Sequence, residues 1–86
     1  MKQLTQEVFD LFDCPEWAES AAIDGNGEAW FYACDKSKLK IEKSFGVYGH
    51  YPNIQTSDLS FIGSGYDTTN WENSAINRAS KPVDKC

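Results

Sequence analysis

The chain has 86 residues, a formal net charge of −5 and one histidine. A length of this order fills one hydrophobic core and cannot divide it, so a single domain is expected over 1–78 with a flexible tail at 79–86. A lone histidine removes most acid–base and metal arrangements, the acidic balance disfavours general binding to phosphate backbones, and no apolar run approaches the roughly 20 residues that span a bilayer.

Within "QLTQEVFDLFD", Leu4, Val8, Leu11 and Phe12 fall at i, i+4, i+7 and i+8, which predicts an amphipathic helix ending before Pro15. Pro15 then opens a short turn anchored by Trp17. In "SAAIDGNGEAWFYAC" two apolar runs flank the turn formers 24–27, the pattern of a β-hairpin. "LKIEKSFGV" alternates Leu39, Ile41, Lys43, Phe45 and Val47 against polar or small residues, which predicts one strand. "YGHYPNIQTSD" is rich in turn formers and reads as a loop presenting Tyr48, His50 and Tyr51 together. "DLSFIGSG" offers a further strand. Thr69 and Glu72 have the spacing of a capping box, which predicts a short C-terminal helix that buries Trp71. Arg78 is expected to reach that helix's end or an acid of the first helix.

Charge is unevenly placed. No Lys or Arg lies between Gln3 and Asp35, whereas Glu7, Asp10, Asp13, Glu16, Glu19, Asp24, Glu28 and Asp35 are all acidic, and Lys36, Lys38, Lys40 and Lys43 follow. A solvated acidic face and lysines guarding an edge strand account for the pattern, and so does an acidic surface meeting a basic partner. Cys14, Cys34 and Cys86 are too widely spaced for a zinc site or a disulfide framework. Asp24, Asn26 and Glu28 resemble the start of a calcium loop, but Ala29 and Asp35 stand where such a loop needs Gly and Glu. No phosphate-loop, dinucleotide, zinc-protease or nucleophile-elbow motif is present. The sequence therefore implies no enzyme, metal or cofactor.

Three segments together resemble a loose group of short accessory proteins encoded by tailed bacteriophages and prophages. They are Cys14, Pro15, Trp17 and Ala18; Ala22, Asp24, Asn26, Gly27 and Trp30; and Trp71, Ser74 and Arg78. Ala75, where a Leu is expected, and the leading segment depart from that outline. The resemblance implies an origin and brings no activity or assigned site.

The combined expectation is an α+β domain, with an N-terminal helix packed on a three- or four-stranded antiparallel sheet and a short C-terminal helix. The expected function is that of a small acidic, cytoplasmic phage-type protein that inhibits or redirects a host protein, including a component of defence. Its candidate contacts are Glu16, Glu19, Asp24, Glu28, Tyr48, His50 and Tyr51. The alternatives are a sponge for a nucleotide signal and an acidic mimic of DNA; neither direct nucleic-acid binding nor a membrane partner is expected.

Overall fold

Six strands and three 3-10 turns follow one another along residues 2–53 and 58–79, the part of the chain that the computed structural model describes. The strands are β1 (Ser20–Ile23), β2 (Ala29–Tyr32), β3 (Leu39–Ser44), β4 (Val47–Pro52), β5 (Leu59–Gly63) and β6 (Ile76–Asn77). They form two antiparallel sheets, a four-stranded one in the order β5-β2-β1-β6 and the β3–β4 hairpin.

The first hairpin follows directly from its residues. Asp24 and Asn26 accept local backbone hydrogen bonds, Gly27 supplies the positive φ of 89°, and β1 and β2 pair from Ile23↔Ala29 to Ser20↔Tyr32. Ala21, Ala22 and Ala29 are fully buried in this pair, so other parts of the chain can approach both faces closely. On one face Val8, Phe9 and Ala18 close over Ala21 and Phe31, with the Phe9 and Phe31 rings 5.7 Å apart. Leu4, Ile62, Trp71 and Tyr66 continue that layer around Ile23 and Ala29. On the other face Ala22, Tyr32 and Cys34 pack with Trp30, Leu39 and Ala75. The buried Ser20 hydroxyl donates to the Cys34 carbonyl at 2.7 Å, which satisfies a polar group in the core.

The α+β expectation fails, because the described residues contain 3-10 turns and no α-helix. At the N-terminus the turn Gln6–Asp10 is capped by the Thr5 hydroxyl, and Leu11 is already extended. Of the predicted stripe only Val8 is buried; Phe9, off the stripe, is its core partner, while Leu11 and Phe12 are exposed. A segment this short pays the cost of helix nucleation over few residues, so packing of Val8 and Phe9 decides its shape. The C-terminal helix is a single turn, Trp71–Asn73, followed by β6 on the edge of β1. Its capping box does not form: the Thr69 hydroxyl donates to Asp67 at 2.7 Å and Glu72 pairs with Lys43 at 2.8 Å.

Two other departures affect the candidate site. The predicted single strand "LKIEKSFGV" turns back at Phe45 and Gly46, and the predicted loop 48–51 is the body of β4. Among the described residues Arg78 reaches neither a helix end nor a carboxylate but donates from Nη1 to the carbonyls of Pro15, Glu16 and Ala18 at 3.2–3.4 Å, fixing the segment that enters β1. Residues 80–86, most of the expected tail, lie outside the described residues, as do 54–57. Among the described residues no helix is long and apolar enough to cross a membrane.

A candidate binding groove beside the second hairpin

The β3–β4 hairpin meets the four-stranded sheet along the outer edge of β4. Gly25 donates its backbone N–H to the Tyr48 carbonyl at 2.7 Å, the His50 N–H donates to Asp24 Oδ1 at 3.0 Å, and the Tyr32 hydroxyl donates to the His50 carbonyl at 3.3 Å. An edge strand carries unpaired backbone groups that must find partners. Here a turn amide, a carboxylate and a phenol supply them. Burial, then the Asp24 charge, pushes the Tyr32 hydroxyl far above its ordinary pKa of 10.0, so it stays a donor.

Two glycines permit this approach. A Cβ on Gly25 would lie 2.5 Å from Tyr48 Cβ, and one on Gly49 would lie 2.9 Å from the Asp24 carboxyl carbon. The seam leaves a groove of about 600 Å³ between the β1–β2 turn and β4, lined by Asp24, Asn26, Glu42, Val47, Tyr48, His50 and Tyr51 among others. Such a volume lies in the range of clefts that hold small molecules.

His50 is the least accessible polar group of the seam. Its side chain is 2% exposed, its ring stands edge-on to Trp71 with centroids 5.6 Å apart, and its Nδ1 lies 3.8 Å from Asp24 Oδ1. That separation exceeds a hydrogen bond, and neither ring nitrogen has a hydrogen-bond partner among the described residues. At the far end of the hairpin, Phe45 and Gly46 both have positive φ, 51° and 80°, the geometry of a type I′ turn. Phe45 holds a left-handed conformation that favours Gly or Asn, and its ring is 102% exposed.

The structure brings together Asp24, Tyr48, His50 and Tyr51 of the residues singled out in the sequence. Tyr48 and Tyr51 are exposed there. Glu28 belongs to the same turn, where its carbonyl accepts the Asp24 N–H at 2.7 Å, but it does not line the groove. Glu16 and Glu19 are exposed at the other end of β1. Five residues of extended chain carry Glu19 about 16 Å from Asp24. Glu42, Val47 and Phe45 went unrecognised because the turn that places them was hidden. The one available signal was Gly46 two residues before an aromatic run, with Phe where a hairpin normally has Asn.

Elsewhere Cys14 and Cys34 are free, and burial raises both thiols' pKa, which leaves them poor nucleophiles. Among the described residues no three His, Cys, Asp or Glu side chains gather as metal ligands. No known family, characterised protein or solved structure matches the chain.

Proposed function

We propose that the protein is an accessory protein of the phage type that acts by binding a host protein through the β3–β4 hairpin and the groove at its base. The observation that carries this reading is Phe45. A large side chain at φ 51° costs on the order of 1 kcal/mol more than Asn or Gly would. The ring recovers nothing within the fold, since it is fully exposed. Val47, Tyr48 and Tyr51 are exposed on the same hairpin and extend its apolar surface towards the groove. A partner that covers these side chains supplies the compensation that the isolated domain lacks. Two carboxylates in the groove, with no Lys or Arg among its lining residues, weigh against the nucleotide alternative at this place.

Native mass spectrometry of gently purified tagged protein from its bacterial host tests the reading. The expected result is an added mass of a host protein, kept by Glu16→Lys/Glu19→Lys and lost by Tyr48→Ala/Tyr51→Ala. A mass shift the size of a nucleotide, a complex that survives the double tyrosine variant, or a bare chain throughout would contradict it.

A further inference from the structure

The chemistry of the groove narrows what it can receive, and the inference rests on reading the hairpin as a binding element. The lining includes Asp24, Glu42 and Tyr51, and the hairpin register puts Glu42 and Tyr51 on one face of the ladder, with Tyr48 on the other. Lys40 pairs across the ladder from Tyr51 but does not line the groove, and Lys43 is drawn to Glu72 at 2.8 Å. The negative charge is thus not neutralised from within. Asp24 Oδ1 accepts the His50 N–H, and Oδ2 takes no hydrogen bond from the described residues. Glu42 is oriented by the Ser44 hydroxyl.

His50 gives a second and independent indication. A buried polar group without a partner costs about 1–3 kcal/mol. Among the described residues neither nitrogen of this enclosed imidazole finds one, and the ring stands next to the Asp24 carboxylate. A movement of the carboxylate by about 1 Å brings Oδ1 within hydrogen-bond distance of Nδ1. His50 thereby becomes a positioning residue for Asp24 when the carboxylate is engaged from the groove.

We propose that the groove is a cation site that receives an arginine side chain of the protein partner. A guanidinium presents five N–H donors in one plane, so its edge serves the carboxylates while its face lies on a tyrosine ring. A compact ammonium lacks the planar fork and the stacking face, and phosphate or an acidic peptide is repelled.

The test is a titration of the isotope-labelled whole chain with acetyl-Gly-Arg-Gly-amide, followed by amide chemical shifts, beside the citrulline counterpart, which keeps the shape and removes the charge. Saturable shifts are expected at residues 24–26, 42 and 47–51, with the arginine peptide binding about tenfold more tightly than the citrulline one. Glu42→Gln and Tyr51→Leu each weaken the arginine peptide severalfold while the dispersion of the spectrum is kept, which separates loss of the site from loss of the fold. Equal binding of the two peptides, shifts confined to other residues, or unaltered affinity in both variants would overturn the proposal. If the arginine peptide is refused while Tyr48→Ala/Tyr51→Ala still abolishes the host complex, the cation site falls and the binding reading stands. If the peptide binds as expected and the host complex ignores both tyrosines, the site stands and that reading falls.

Discussion

At the scale of single residues the seam depends on atoms that are missing. Gly49→Ala would place a methyl 2.9 Å from the Asp24 carboxyl carbon and carboxylate oxygen, and neither the strand nor the turn can retreat without losing the His50 N–H bond. We expect this substitution to cost about 1–3 kcal/mol in urea unfolding. An unchanged midpoint would show that the hairpin is not held as described. Arg78 works by presence: three carbonyls share its Nη1, and its guanidinium lies 5.8 Å from the centre of the Phe9 ring. Arg78→Met is expected to cost about 1–3 kcal/mol, with Arg78→Lys recovering only part, because an ammonium cannot reproduce the planar contact. Asp67 gives a pH signature. The Thr69 hydroxyl and amide, then the Gln3 side chain, hold its carboxyl down from 3.8 to about 2. A depressed carboxyl contributes stability above its unfolded pKa, and that contribution is lost as pH falls through the folded value. Thermal midpoints of the wild type should therefore decline between about pH 4 and pH 2 more than those of Asp67→Asn. Parallel curves would sink the assignment.

At the scale of elements, what could be read from sequence was what local chemistry decides alone. The first hairpin was legible because Asp24, Gly25, Asn26 and Gly27 favour a turn and the flanking residues are apolar. The strand Leu59–Gly63 was legible for the same reason. The N-terminal helix was misread because the spacing of Leu4, Val8, Leu11 and Phe12 fits a helix, yet only packing determines whether those side chains meet a core. The second hairpin was hidden by its turn. In the sequence the apolar alternation runs from Leu39 to Val47, but Val47 lies opposite Ser44, on the face of Glu42 and away from that of Ile41. Of the candidate site, Asp24, Tyr48, His50 and Tyr51 were legible as residue types, while their meeting was not, since it depends on a turn with Phe in place of Asn. A peptide of residues 2–15 should give the circular dichroism of an unstructured chain, and the intact protein should lack the paired minima of α-helix. Helical signal in the protein would contradict the strand architecture.

At the scale of the molecule the two sheets are unequal. The four-stranded sheet holds the fully buried Ala21, Ala22, Ala29 and Phe31, whereas the hairpin exposes Ile41, Phe45, Val47, Tyr48 and Tyr51. Its attachment relies on the three edge hydrogen bonds, the packing of Leu39 against Tyr32 and Cys34, the enclosed His50, and the half-exposed Lys43–Glu72 pair, which is worth little in water. Local opening follows low burial, so amides of β3 and β4 should exchange with solvent before those of Ala21, Ala22 and Phe31. Uniform protection would mean that the hairpin is as firmly held as the core. The same inequality underlies the proposal that the domain is a scaffold whose exposed hairpin side chains are completed by a partner. The most direct measurement compares wild type and Phe45→Asn for thermal midpoint and for host complex on one preparation. Asn is expected to relieve the turn, raising the midpoint by about 4–8 °C, while the complex is lost. A complex that survives the substitution, or a midpoint that falls, would contradict the proposal.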